Sequence, residues 1–130
     1  MNASRPLPDY NLVWAEIPVT NLDAARQFYS AVMQQELSVR TDGPNPMVDL
    51  PTKDIEAGFS AHLYPGIPAP DGIGPTVHLA APDSLEATAD RVVEAGGKVL
   101  SPAIEIPAGS FIYTTDPDGN SIGWWQPKAA

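Results

Sequence analysis

The chain has 130 residues, 43% of them hydrophobic, and sixteen acids against seven bases give a formal net charge of -9. This length suits one compact domain, residues 1–130, with a single core, and the acidic balance repels phosphate backbones and anionic lipid surfaces, which argues against nucleic-acid and membrane partners. There is no cysteine, which excludes disulfides, thiolate zinc sites and a cysteine nucleophile, and the lack of a long apolar run or a charged-then-apolar leader predicts a soluble cytoplasmic protein.

Residues 1 to 10, with Pro6 and Pro8, read as a loose lead-in. "LVWAEIPV" then reads as a strand whose apolar parity is Val13, Ala15, Ile17 and Val19, leaving Trp14, Glu16 and Pro18 on the opposite face. Thr20-x-x-Asp23 predicts a helix start, with the threonine as cap and the carboxylate three residues on. The helix carries Leu22, Ala25, Tyr29 and Val32 on one stripe. "LSVRT", "PMVDL" and "AGFSAHLY" follow as short strands. In the last of these Ala57, Phe59, Ala61 and Leu63 form the core set, and Gly58, Ser60, His62 and Tyr64 turn the other way.

"PGIPAPDGIGP", residues 65–75, is a linker by its Pro and Gly density. "TVHLAA" directs Val77, Leu79 and Ala81 inward and His78 outward. Asp83-x-x-Glu86 predicts a second helix start, Leu85, Thr88, Val92 and Ala95 make its stripe, and Gly96-Gly97 ends it. "KVLS", "SFIYTT" and "NSIGWWQ" complete the chain as strands. Between the last two lies "DPDGN", a tight turn in which Pro117 sets φ, Asp118-Gly119 bends the chain and Asp116 bonds its own loop backbone.

Both halves run strand, helix, three strands, and "VWAEIPVTNLDAARQFYSAV" superposes on "TVHLAAPDSLEATADRVVEAGG" at an offset of about 63 residues. One half would be marginal alone, so the two should pack as a pair. The expected fold is α+β: two βαβββ modules, about 11–64 and 76–126, forming a curved, mostly antiparallel eight-stranded sheet around a cavity with the helices outside.

Strand parity then places Glu16, His62, His78 and Gly123 on the enclosed side. Two imidazoles and one carboxylate suit a divalent metal of the Zn, Ni, Fe or Mn kind, and Gly123 leaves a fourth position without a protein ligand. Each residue also has a plainer reading: a solvated carboxylate paired with a base, a surface imidazole at the linker entry, an imidazole on a strand. No serine sits in a G-x-S-x-G elbow and no phosphate-loop spacing surrounds the glycines.

"EIPVTNLDAARQFY" entering the first helix, "DPDGNSIGWWQ" closing the last hairpin, and the duplicated halves resemble the vicinal oxygen chelate superfamily, which includes glyoxalases, bleomycin-resistance proteins, fosfomycin-resistance enzymes and extradiol dioxygenases. The resemblance runs from Leu12 to Gln126. In metal-binding members the ligands come from the first and fourth strands of each half. Counting back from Phe28-Tyr29, the usual first-strand ligand falls on Trp14, with Glu16 two residues on, and the usual last-strand carboxylate falls on Gly123.

The resemblance implies two readings. One is a glyoxalase-like small-molecule enzyme of lyase, isomerase or dioxygenase type, with Glu16 catalytic and Glu16, His62 and His78 holding a divalent metal. The other is a metal-free protein that binds or sequesters a small molecule, as bleomycin-resistance members do, in a cavity walled by Trp14, Tyr64 and Trp125. Under either reading the resemblance implies a homodimer.

Overall fold

A computed structural model describes residues 5–9, 12–54 and 60–129. In chain order the elements are β1 (Ala15–Val19), α1 (Leu22–Met33), β2 (Val39–Arg40), β3 (Met47–Leu50), β4 (Ala61–Pro65), β5 (Val77–Ala80), α2 (Leu85–Glu94), β6 (Lys98–Val99), β7 (Ile104–Ile106), β8 (Gly109–Thr115) and β9 (Ser121–Pro127). The fold is α+β. The strands form two mixed sheets, one ordered β1-β4-β3-β2 and the other β5-β9-β8-β6, with β7 also on β8. The outer pair is parallel in each, β1 with β4 and β5 with β9, and the remaining pairs are antiparallel. The halves therefore repeat in topology as well as in sequence.

Among the described residues nine strands stand where eight were expected, because the outer strand of the second sheet is broken. β6 and β7 both pair with the same edge of β8, but the register shifts by two residues between Val99↔Thr114 and Ile104↔Phe111. Pro102, without an amide hydrogen, lies in the gap. Ser101 fills part of it, its Oγ accepting from the Tyr113 amide at 3.0 Å.

The helix stripes bury largely as their periodicity requires, with Leu22 and Ala95 only partly covered and Phe28 added to the first. Ala25, Phe28, Tyr29 and Val32 of α1 and Leu85, Thr88 and Val92 of α2 are buried, α1 against the first sheet and α2 against the second. They join Ile17, Val19, Val48, Leu50, Leu63, Leu79, Ile112, Ile122 and Trp124 in one core. The caps lie one residue later than the capping-box spacing suggests. Asn21 accepts from the Ala24 amide and Ser84 from the Ala87 amide. Thr20 instead bonds Asp118 across the molecule, and Asp83 pairs with Arg91. A short side chain reaching an amide three residues on is available at both neighbouring positions, so long-range partners decide which one caps. At the end of α2 the Gly97 amide bonds the Val92 carbonyl and the Gly96 amide the Val93 carbonyl, with Gly96 at φ 105°. This is the glycine stop expected of Gly96-Gly97.

The first strand is shorter than its apolar alternation suggests. It begins at Ala15, whose partner in β4 is Ala61, and Val13, expected in the core, is 59% exposed. Of the core set expected in "AGFSAHLY", Ala61 and Leu63 are buried, while Ala57, Gly58 and Phe59 lie outside the described residues.

The two halves are stitched together near the "DPDGN" turn. Asp116 Oδ1 accepts from the amides of Asp118 and Asn120, and Asn120 Nδ2 donates to the Pro18 carbonyl at the end of β1 at 2.8 Å. The Gly72 amide in the linker bonds the Gly119 carbonyl. The turn expected to be local thus also anchors the first half to the second.

Candidate functional site

Because successive strand side chains alternate, burying Ile17, Val48 and Leu63 obliges Glu16, Asp49 and His62 to share the opposite face of the first sheet. The register sets them in one row, Glu16 opposite His62 and His62 opposite Asp49. Met47 and Tyr64 follow on the same parity of β3 and β4.

At one end of this row Asp49 is engaged. Arg40 donates to it through Nε at 2.8 Å and Nη2 at 3.3 Å, and through Nη1 to Asp42 at 3.1 Å. Hydrogen bonds to Asp49 first, then to Asp42, hold the guanidinium above its usual proton affinity. At the other end the Glu16 side chain is 55% exposed, and the His62 imidazole lies beside it.

His62 is the unusual member. Its Nε2 lies 3.3 Å from Glu16 Oε1, within ion-pair range, yet that atom is buried and, among the described residues, makes no hydrogen bond. The short distance without bonding alignment means proximity alone does not satisfy the imidazole; direction matters as much as separation. Tyr64 lies edge-on to His62, ring centroids 6.4 Å apart. A hollow of about 380 Å³ opens over the group, lined by Glu16, Asn45, Met47, His62, Tyr64 and Pro65. Glu16 also borders a smaller hollow of about 160 Å³ between the halves, walled by Ile17, Pro18, Ile73, Val77 and Ile122.

The second sheet is built differently. The register sets His78 opposite Gly123 and Gly123 opposite Tyr113, and a Cβ at position 123 would overlap the His78 ring. Glycine at 123 is what lets the imidazole lie over the backbone of β9. Phe111 and Tyr113 stand steeply to it, with centroids 5.3 and 6.0 Å away and interplanar angles of 84° and 63°.

The structure therefore brings Glu16 and His62 together and places His78 in an aromatic cluster on the other sheet. Among the described residues there is no group of three or more His, Cys, Asp or Glu side chains arranged to hold a metal. Tyr64 lines the hollow with Glu16 and His62. Trp125 lies on β9 opposite Phe111, and Trp14 precedes β1, 56% exposed.

Met47, Asp49 and Arg40 were not singled out from the sequence, although the alternation of "PMVDL", with Val48 and Leu50 inward, carries the signal for the first two. Asn45 belongs to a loop and has no periodicity to reveal it.

The sequence profile of the Glyoxalase/Bleomycin resistance protein/Dioxygenase superfamily matches residues 11–123. The chain is 33% identical over 120 residues to the proposed glyoxylase CFP32 of Mycobacterium tuberculosis, an alignment that takes in 87% of this chain and 44% of the relative. The chain thus spans less than half the length of the curated relatives it matches. Among solved structures, a glyoxalase/bleomycin resistance protein from Albidiferax ferrireducens superposes with a TM-score of 0.66 at 22% identity, over 88% of this chain and 98% of that one. TnmS3, an antibiotic binding protein from a Streptomyces species, gives 0.56 at 23% identity, over 94% and 100%. These two likenesses establish a shared fold.

Proposed function

The chain belongs to the glyoxalase/bleomycin resistance protein/dioxygenase superfamily, and from that premise we propose that it binds a small organic molecule in the hollow of the first sheet, anchored by Glu16 and His62 and walled by Tyr64, Met47 and Asn45. The observation that carries this reading is the Glu16–His62 pair on the wall of that hollow, with His62 Nε2 buried and, among the described residues, without a hydrogen-bond partner. Leaving such an atom unmatched costs about 1–3 kcal/mol, which a bound polar group recovers. Glu16, half in solvent beside it, accepts where His62 donates. A ligand that presents a hydroxyl next to a carbonyl or second hydroxyl meets both.

The reading is one of binding and sequestration without a metal held by one chain. A catalytic metal site uses about three protein ligands, and the first sheet supplies the Glu16–His62 pair while Asp49 is taken by Arg40. Among the described residues the donor set does not fit a first-row metal. The resemblance to TnmS3, named as an antibiotic binding protein, agrees with this reading. In the same reading the protein acts as a homodimer, its exposed segment Leu12–Trp14 covered by a partner.

A second reading rests on the same 3.3 Å approach. A carboxylate beside an imidazole is an acid–base pair able to move a proton next to a carbonyl, as a lyase or isomerase requires, and CFP32 bears the name of a glyoxylase. Glu16 would take the proton and His62 donate to the developing oxyanion.

The test is a panel of hydroxy-carbonyl compounds screened by the imidazole resonances of His62 in the unaltered chain, with affinities then measured by calorimetry in that chain and in Glu16→Gln and His62→Gln. Binding weakened by about 1–3 kcal/mol in either variant, with the fold intact, supports the reading. Equal binding in all three proteins removes it, and turnover lost in Glu16→Gln selects the enzymatic form.

A further inference from the structure

Glu16 is a wall shared by two hollows. On one side lies the hollow it lines with His62, and on the other lies the crevice of about 160 Å³ between the halves. The crevice is lined by Ile17 of β1 and Ile122 of β9, 2% and 1% exposed, by Pro18 and Val77 beside them, and by Ile73 and Pro75 of the linker. Its polar side chains are already engaged. Asn120 Nδ2 donates to the Pro18 carbonyl and to Asp116 Oδ2, and the Ser121 hydroxyl lies 2.6 Å from that of Thr76. Beyond the Glu16 carboxylate, what the crevice presents to a ligand is apolar.

The linker segment over it has a fixed shape. The Gly72 amide donates to the Gly119 carbonyl at 3.0 Å and the Ile73 amide to the Pro70 carbonyl at 2.9 Å. Gly72 and Gly74 take φ 70° and 102°, a region open to glycine and costly for other residues. Ile73 stands between these two glycines, 63% exposed. A large apolar side chain held over an apolar crevice and still mostly in water is stabilised when a ligand covers it.

We propose that one ligand occupies both hollows, an uncharged hydroxy-carbonyl compound whose apolar branch, of about the bulk of a phenyl ring, fills the crevice against Ile73. The polar end rests on the binding reading above, with its oxygens at Glu16 and His62. The crevice then sets the ligand class. A methyl-sized branch leaves Ile73 and Val77 uncovered, whereas a ring or branched chain of similar bulk replaces water along them. The net charge of -9 and the Glu16 carboxylate at the junction both oppose an anionic ligand.

Hydroxyacetone and 2-hydroxyacetophenone are suitable probes, because they share the hydroxy-ketone end and differ in a methyl against a phenyl group. Calorimetric titration should show the phenyl compound bound about tenfold or more tightly than the methyl one. Both should shift the His62 imidazole resonances, and the phenyl compound alone should also shift the Ile73 methyl resonances by its ring current. Ile73→Ser, a change at an exposed position, should reduce the preference by about threefold. Ala69→Phe, which fills the crevice from the linker, should abolish it. Equal affinities for the two compounds, Ile73 methyls unmoved at saturation, or a preference unchanged in both variants overturns the inference and leaves the polar anchor standing. If neither compound shifts His62, the anchor and the inference fall together.

Discussion

The phenol of Tyr29 in α1 donates to Asp116 Oδ2 at 2.7 Å, a buried bond between residues 87 positions apart. It ties the first helix to the β8–β9 turn and is the innermost of the contacts that join the halves. Burial raises both groups above their ordinary pKa, burial being the largest cause for each, and the Asp116 charge adds to the effect on Tyr29.

Tyr29→Phe should therefore destabilise the chain by about 1–3 kcal/mol, because Asp116 loses a donor it cannot replace from water. The pH dependence has a definite sign. The folded state keeps the Tyr29 proton where the unfolded chain releases it, so this contribution is full below a pH of about 10 and is lost as pH rises beyond that. Denaturant melts from neutral to alkaline pH should show that limb in the unaltered chain and a flatter one in Tyr29→Phe. Parallel curves in the two proteins would mean that another group titrates there.

The helix caps offer a local check. Asn21→Ala and Ser84→Ala should each cost about 1 kcal/mol by freeing the amides of Ala24 and Ala87. Thr20→Ala should act differently, through loss of the bond to Asp118, and its effect should shrink when Asp118 is already alanine. An additive double mutant would show that Thr20 works locally.

Gly123→Glu would place a carboxylate where the superfamily resemblance puts a ligand. The His78 ring occupies the space above that position, so the expected outcome is overpacking that costs about 1–3 kcal/mol, with no gain in zinc or nickel affinity. Calorimetric metal titration of the variant checks this. A new stoichiometric site would show that His78 swings away and that the second sheet accepts a metal.

Leu12, Val13 and Trp14 form an exposed apolar segment leading into β1, an edge strand. Exposed apolar residues next to an unpaired edge favour covering by a second copy. Light scattering should give a mass near twice 13.8 kDa, and Trp14→Ser should shift it toward the monomer with the fold retained. A monomer mass for the unaltered chain at all concentrations would remove the homodimer.

Much of the architecture is legible from the residues alone, because local rules decide it. The 3.6-residue stripes of α1 and α2, the Gly96-Gly97 stop, the parity that separates Ile17 and Leu63 from Glu16 and His62, and the repeat of one half in the other all follow from side-chain size and spacing. Parity put Glu16, His62, His78 and Gly123 on the faces opposite Ile17, Leu63, Leu79 and Ile122, which are buried, since a one-residue slip would expose the core; the enclosed cavity expected on that side is open in each sheet. Parity says which face a residue is on and nothing about which sheet neighbour it meets. Only the pairing of β1 with β4 and of β5 with β9 decided that His62 meets Glu16 while His78 lies over Gly123 beside Phe111 and Tyr113. The same holds for Thr20, Asp83 and Asp116: the role of a cap or turn residue is chosen by whichever donor or acceptor the fold brings near, Asp118 for Thr20, Arg91 for Asp83 and Tyr29 for Asp116, and that distance exists only once the chain has folded.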